Sequence, residues 1–389
     1  MPIKNRFAET HAEITGWRRH MHMHPELGFD VHNTAKFVEE RLREFGITDI
    51  TTGIGQTGVV AVIKGRTDTS DRVIGLRADM DALPIHEQTG LEYASTIPGK
   101  MHACGHDGHT AMLLGAAQYL AETRNFDGTA VMIFQPAEEG GGGGLEMCKD
   151  GLMERWGIDE VYGMHNMPFF PVGEFAIRSG PLLAAADEFY LTITGRGGHA
   201  AAPHEAVDPN VASAHVILAL QSVASRVVDP LKNVVVSVCS LHSDTEAHNI
   251  IPQVVKMNGT VRTLDPKVRD IVEEKIKNLV SLTAQAHDCV AELDFRRGYP
   301  VTVNTDANTD YASDAALAVA GSVDSNTPPI MAAEDFAYML EERPGAYIMV
   351  GNGDGATVHH PEYNFNDDAI PAGCSWYAEM VERRMPLTI

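Results

Sequence analysis

A short loop at residues 101–111, MHACGHDGHTA, brings together a thiol, three imidazoles and a carboxylate. Cys104 and His106 lie two residues apart, and Asp107 and His109 follow them directly. A thiolate and an imidazole at this spacing suit a borderline-soft divalent cation. Cys104 could instead be a nucleophile with a histidine base, although no oxyanion-binding motif accompanies it. The loop therefore predicts a metal site, with a thiol hydrolase as the competing interpretation.

Two adjacent carboxylates, Glu138 and Glu139, precede five glycines in the segment QPAEEGGGGG. Neighbouring side chains diverge, so one glutamate can bind a metal while the other faces a substrate. Metal-assisted hydrolysis needs this division, because a cation lowers the pKa of bound water and a nearby carboxylate moves its proton. The glycines also allow close approach of the backbone.

Histidines further along the chain complete a plausible donor set. His165 lies in GMHNMP and His359 in VHHPEYNFND. The resulting donors are Cys104, His106, Glu139, His165 and His359. Five protein donors exceed what one catalytic zinc with an open position accepts. The set predicts two metals bridged by one donor, with the thiolate as a candidate bridge.

The polar clusters follow short apolar runs that have the character of buried parallel strands. These runs lie at residues 72–81, 129–139, 161–165 and 346–361, and a helical pattern covers 110–122. Strands that alternate with helices predict an α/β domain with a mostly parallel sheet flanked by helices. In such sheets ligands bind beyond the carboxyl ends of the strands, where all the clusters lie.

The middle of the chain has a different order: strand, helix, strand, strand, helix, strand, with helices predicted at 209–228 and 266–287. That order is typical of the ferredoxin-like α+β unit. In its first strand, Phe189, Leu191 and Ile193 share one face. We predict a catalytic domain built from residues 1–185 and 296–389, with residues 186–295 inserted as a separate domain.

Composition limits the possible partners. The formal net charge of -23, from 30 basic and 53 acidic residues, would repel nucleic acid and an anionic membrane surface. Five scattered cysteines are typical of a reducing compartment, and we find neither an apolar leader nor a run long enough to span a bilayer. These features predict a cytoplasmic protein with a small-molecule substrate, and without nucleic-acid or membrane partners.

The motifs together resemble the M20 peptidase family over residues 17–367, nearly the whole chain. Within that family they are similar to the amidohydrolase branch of hippurate hydrolases, N-acyl-amino-acid deacylases and indole-acetyl-amino-acid hydrolases. The motifs that carry the resemblance are RRHMHMHPELGF, RADMDALPI, HACGHDGHTA, FQPAEEGGGG, MHNMP, GRGGHAAAPH and AEDFAYML. The resemblance implies a dinuclear catalytic domain, and it implies that the inserted domain is a lid that also forms a homodimer.

The resemblance also implies roles for single residues. It assigns Glu138 as general base, and it makes Cys104, His106, Glu139, His165 and His359 the metal ligands. His359 is selected over the adjacent His360 because the family pattern is His, a small polar residue, then Pro. Asp79 and Asp81 could be ligands on spacing alone, but the resemblance gives Asp81 an orienting role behind the ligands.

The resemblance extends to further residues in the predicted lid and at the amino terminus. His199 is expected to donate a hydrogen bond to the oxyanion, in the active site of the partner subunit. Asn249 and Arg262 are expected to contact the substrate, whose carboxylate would suit an arginine fork. His22 and His24 have no metal role in the family pattern, and we expect capping or packing roles for them.

The predicted activity is hydrolysis of the amide bond of N-acyl amino acids, with two divalent ions as cofactors. Manganese, zinc, cobalt and nickel all tolerate such donors. The predicted products are a carboxylic acid and an amino acid. The alternatives are a dipeptidase or aminopeptidase of the same superfamily and a metal-binding member without catalysis.

Overall fold

The structure is a computed structural model that describes residues 5–387. These residues form two compact units. The first unit comprises 5–182, 303–328 and 335–387, and the second comprises 183–302 and 329–334. The predicted insertion, 186–295, lies inside the second unit.

The described residues contain α-helices and β-strands in alternation along much of the chain. In chain order the α-helices are α1 (Asn5–Met23), α2 (His32–Glu44), α3 (His106–Thr123), α4 (Gly143–Lys149), α5 (Leu152–Arg155), α6 (Pro209–Ser222), α7 (Pro266–Gln285), α8 (Asp306–Ala320), α9 (Ala337–Glu342) and α10 (Ile370–Arg384). The strands are β1 (Ile50–Ile54), β2 (Gly58–Lys64), β3 (Val73–Asp79), β4 (Thr129–Gln135), β5 (Glu160–Pro168), β6 (Phe175–Ala176), β7 (Gly180–Leu183), β8 (Ala185–Thr194), β9 (Gly198–His199), β10 (Val234–Ser243), β11 (Ile250–Ile251), β12 (Val254–Thr263), β13 (Val290–Arg297), β14 (Thr302–Asn304) and β15 (Gly345–Gly353).

The first unit is built on a seven-stranded sheet in the order β1-β2-β4-β3-β5-β15-β6. Its four central strands, β4, β3, β5 and β15, run parallel, and the strands outside them pair antiparallel. Every residue of β4 is buried, as expected for a central parallel strand covered on both faces. The predicted α/β class with a mostly parallel sheet is confirmed.

The second unit contains a four-stranded antiparallel sheet in the order β10-β12-β8-β13. With α6 after β8 and α7 after β12, this is the ferredoxin-like arrangement. Phe189, Leu191 and Ile193 of β8 are buried in its core, on the face that their alternation predicts.

One predicted helix differs from the structure. The helix expected over 209–228 is α-helical only to Ser222 and continues as a π-helical turn, Val223–Val227. Val228 is then extended, two residues before Pro230, whose ring cannot continue a helix. None of the helices within residues 5–387 combines the length and apolarity needed to cross a bilayer.

Candidate metal centre

The carboxyl ends of the parallel strands explain why residues far apart in sequence meet. Glu138 and Glu139 follow β4, and His165 lies near the end of β5. His359 follows β15, the neighbour of β5, and His106 begins α3. Because parallel strands end at the same edge of a sheet, these side chains are delivered to one place.

The structure brings the five predicted metal ligands together in two overlapping groups. Cys104, His106 and His165 form one group, and Cys104, Glu139 and His359 form the other. Within each group the ligand atoms lie within 4.8 Å of one another. The Cys104 Sγ is 3.4 Å from the His165 Nε2, and the His359 Nε2 is 3.2 Å from the Glu139 Oε1. The two groups therefore have the sulfur of Cys104 in common.

Two of the histidines are oriented with one ring nitrogen directed into the site. The His106 Nδ1 donates to the carbonyl of Asp81 at 2.8 Å, and the His165 Nδ1 donates to the carbonyl of Asn166 at 2.6 Å. These bonds leave each Nε2 with its lone pair, as a metal-bound imidazole requires. The His106 Nε2 is buried without any hydrogen-bond partner, which is the expected state of an atom that binds a cation.

The protonation state of His165 also suits a cation. Burial, together with the neighbouring His109 ring, lowers the pKa of His165 to about 3, so the imidazole is neutral. Burial raises the pKa of the Cys104 thiol, although His106 opposes this effect. A nucleophilic cysteine needs a lowered pKa, whereas a bound divalent cation would itself ionise the thiol. The environment of Cys104 therefore favours a ligand over a nucleophile.

Asp81 organises the glutamate pair. Its two carboxylate oxygens accept hydrogen bonds from the backbone N–H of Glu138, at 2.9 Å, and of Glu139, at 3.1 Å. The turn after them requires glycine at position 143, where a Cβ would lie 1.7 Å from the carbonyl oxygen of Pro136. The Glu138 Oε2 lies 3.9 Å from the His106 Nε2, so this carboxylate faces the same space as the ligand.

The two adjacent histidines after β15 have different surroundings. The backbone N–H of His359 donates to the carbonyl of Ala103 at 2.7 Å, and its ring faces Glu139. The His360 Nδ1 instead accepts from the backbone N–H of Glu362 at 3.1 Å. The structure thus places His359, rather than His360, among the donor atoms.

His22 is a residue whose role the sequence did not indicate. It is buried, with its Nδ1 2.8 Å from Asp107 and its Nε2 3.3 Å from Glu87. Since both nitrogens face carboxylates, the ring is a buried imidazolium, and Asp107 in turn pairs with Arg18. His22 is thus packed in the interior, and its two carboxylate partners are contacts that the sequence did not indicate. His24 does act at the helix end, where its Nδ1 donates to the carbonyl of His20.

The predicted lid residues lie in the second unit. His199 and Asn249 line one shallow pocket of about 530 Å³. The His199 Nδ1 accepts from the backbone N–H of Ala201 at 3.0 Å, so its exposed Nε2 carries the proton and can donate. Arg262 does not line that pocket, and its guanidinium donates to Thr260 and to the carbonyl of Val261.

Comparison with known proteins places these motifs in context. The model of peptidase family M20/M25/M40 matches residues 75–383. The chain is 44% identical to a hippurate hydrolase of Campylobacter jejuni, over 95% of this chain and 96% of that protein. It is 40% identical to an N-acetyl-L-cysteine deacetylase of Bacillus subtilis, over 95% of this chain and 88% of that protein. A solved dinuclear metal binding peptidase of the M20 family from Bacillus subtilis has 34% identity and a TM-score of 0.85, over 97% of this chain and 99% of that chain.

Proposed function

The chain belongs to peptidase family M20/M25/M40, as its motifs predict, and from this premise we propose that it hydrolyses the amide bond of N-acyl amino acids. The observation that carries the proposal is the pair of donor groups that share Cys104 beside the Glu138 carboxylate. Hippurate is N-benzoylglycine, so the hippurate hydrolase and the N-acetyl-L-cysteine deacetylase share one bond type, an amide between an acyl group and an amino-acid nitrogen.

In the proposed centre Cys104, His106, Glu139, His165 and His359 would hold two divalent cations. When bound, such cations polarise a carbonyl and lower the pKa of water. The mixture of sulfur, nitrogen and oxygen donors is compatible with manganese, zinc, cobalt or nickel, and availability often selects among them. The homodimer and the cytoplasmic location stay predictions.

Glu138 is the proposed general base. Its carboxylate takes one proton from the attacking water, whose oxygen forms a bond with the amide carbon. The C–N bond then breaks, and Glu138 passes the same proton to the leaving nitrogen. The products are a carboxylic acid and a free amino acid, so the atoms balance without a further reactant.

Other residues orient Glu138 and Glu139 or stabilise the negative charge that develops on the amide oxygen. Asp81 fixes the backbone of Glu138 and Glu139, so the base and the ligand keep their separate directions. His199 is proposed to donate from its Nε2 to the amide oxygen in the active site of the partner subunit, as negative charge builds there. Asn249 and Arg262 are proposed to contact the substrate.

The test is an activity screen on enzyme that has been chelated and then reloaded with each metal. We expect N-benzoylglycine and N-acetyl amino acids to be hydrolysed, and free dipeptides to be poor substrates. A preference for dipeptides would change the substrate class, and no hydrolysis across the panel would support a non-catalytic metal-binding protein. Activity that survives chelation would support a thiol hydrolase.

Glu138→Gln tests the assigned base directly. We expect this variant to bind metal like the wild type and to lose turnover, since the amide cannot accept the proton. Glu92→Gln, at an exposed glutamate, is the matched control and should keep full activity. Retained hydrolysis by Glu138→Gln would remove the residue from the mechanism.

A further inference from the structure

His109 lies beside the donor groups, yet both of its ring nitrogens are already engaged. It is fully buried in the first turn of α3. Its Nδ1 donates to the Asp79 Oδ1 at 2.7 Å, and its Nε2 accepts from the backbone N–H of Asn166 at 2.9 Å. Because the Nε2 lone pair is used by an N–H donor, none is left for a cation. His109 is therefore unsuited to be a ligand, although its ligand atom lies within 4.8 Å of those of His106 and Asp79.

Asn166, the partner of His109, contacts two of the proposed ligands. Its Nδ2 donates to the carbonyl of Cys104 at 2.6 Å, and its own carbonyl accepts from the His165 Nδ1. The Tyr363 hydroxyl donates to its Oδ1 at 2.6 Å, so the side-chain amide is held in one orientation. A displacement of Asn166 would thus move the backbone of Cys104 and the ring of His165 together.

On the side away from Asn166, His109 is connected through Asp79 to a buried arginine. Arg77 has no exposed surface, and its guanidinium donates to the Asp79 Oδ2 at 2.8 Å. The same group reaches Gln135 at 2.8 Å and Asp335 at 3.0 Å, both of which are buried. These contacts fix the Asp79 carboxylate, whose other oxygen then fixes the tautomer of His109.

We propose that Arg77, Asp79 and His109 form a positioning relay that acts through Asn166 to set the distance between Cys104 and His165. The relay does not bind a cation itself. This inference rests on the proposed function, because the spacing matters only if Cys104 and His165 share a metal. Loss of a hydrogen-bond partner behind a ligand lowers metal affinity by about 10- to 100-fold in known metal sites.

The test compares two substitutions that distinguish the hydrogen bond of the His109 Nδ1 from that of its Nε2. In His109→Asn the side-chain amide can still donate to Asp79 but no longer reaches Asn166. In His109→Gln the longer amide can place an oxygen where the Nε2 was, and so accept from Asn166. We expect His109→Asn to bind Co²⁺ about 10- to 100-fold more weakly, with an altered thiolate-to-Co²⁺ absorption band, and His109→Gln to recover most of both.

Two further variants complete the design. His32→Asn, at an exposed histidine, is the control and should bind Co²⁺ like the wild type. Asn166→Asp removes the side-chain Nδ2 that donates to the carbonyl of Cys104 and lies 3.0 Å from the His109 Nε2, and it keeps the backbone N–H that His109 accepts. It should weaken Co²⁺ binding as His109→Asn does, and it tests the relay independently if His109→Asn does not fold. Near-ultraviolet circular dichroism reports the fold of each variant independently of the metal.

The outcomes separate the relay from the proposed function. A wild type that binds no Co²⁺ overturns the proposed function and the relay with it. Wild-type binding with unchanged affinity and spectrum in His109→Asn and Asn166→Asp overturns the relay alone. Loss of one Co²⁺ equivalent in both His109 variants would identify His109 as a ligand and also overturn the relay.

Discussion

Asp81→Asn is a sharp test of how the centre is built, because the substitution keeps the size of the side chain and changes only its charge and one atom. Both carboxylate oxygens of Asp81 are acceptors, for the N–H groups of Glu138 and Glu139. The amide of asparagine has one oxygen, so one of these N–H groups would face an NH₂ donor instead. The bond from His106 goes to the backbone carbonyl of residue 81 and should survive.

The expected cost follows from those two bonds. A hydrogen bond to a charged acceptor contributes about 1.5–3 kcal/mol, and a buried donor without a partner costs about 1–3 kcal/mol. Losing one bond and weakening the other should therefore cost about 2–4 kcal/mol in total. Substitutions behind metal ligands lower activity by about 10- to 100-fold, which corresponds to about 1.4–2.8 kcal/mol. Separately from that loss of activity, the lost hydrogen bonding should lower the free energy of unfolding by about 2–4 kcal/mol.

The assay measures kcat and KM for the best acyl amino acid, metal content by elemental analysis, and urea unfolding of the same preparation. We expect kcat to fall by about 10- to 100-fold with a small change in KM, since the base is misplaced more than the substrate is. Asp310→Asn, at an exposed aspartate, should change none of these values. Wild-type kcat and stability in Asp81→Asn would refute the claim that this carboxylate positions the glutamate pair.

Two further predictions concern histidines. His359→Gln should lose bound metal and most activity, whereas His360→Gln should keep both, because only the ring of His359 faces Glu139; equal losses would contradict the assignment. Although burial opposes it, the Asp107 carboxylate raises the pKa of His22 to about 9. The pKa of histidine in an unfolded chain is about 6.5, so this stabilisation is complete below that pH and is lost as the pH rises through 9. His22→Gln should therefore lower the free energy of unfolding by on the order of 3 kcal/mol at pH 6, and the deficit should shrink towards pH 9.5. A deficit that urea titrations find independent of pH would show that packing, not charge, explains the role of His22.

The elements that carry the centre could be predicted from the sequence for a simple physical reason. Buried parallel strands are short apolar runs, and polar residues that follow them must lie at one edge of the sheet. Glu139, His165 and His359 follow or adjoin such runs, so their convergence could be predicted without knowledge of tertiary packing, whereas Cys104 and His106 lie at or just before the start of α3 and were indicated by their residue types and spacing. The buried face of β8 could also be predicted from the sequence, because the alternation of Phe189, Leu191 and Ile193 depends only on the two-residue period of a strand.

The buried charges could not be predicted in this way. Arg77 lies within an apolar strand and meets Asp335, 258 positions later. His22 lies on α1 and meets Asp107, 85 positions later. Neither pairing leaves a local pattern in the sequence. Hydrophobic periodicity indicates which face of an element is buried, but it does not indicate which charged side chain lies opposite that face. The resemblance implied an orienting role for Asp81, but its contacts could not be predicted, because its partners are backbone N–H groups that every sequence has.

The distinction between a ligand and a positioning residue is the clearest case. His106 and His109 lie three positions apart on α3, and each donates from Nδ1 to an oxygen of residue 81 or 79. They are the same residue type, and in both the Nδ1 donates to an oxygen, a backbone carbonyl for His106 and a carboxylate for His109. The difference is at Nε2, which has no hydrogen-bond partner in His106 and accepts the N–H of Asn166 in His109. A backbone group of β5, 57 positions further along the chain, therefore decides which of the two imidazoles is left to bind a cation.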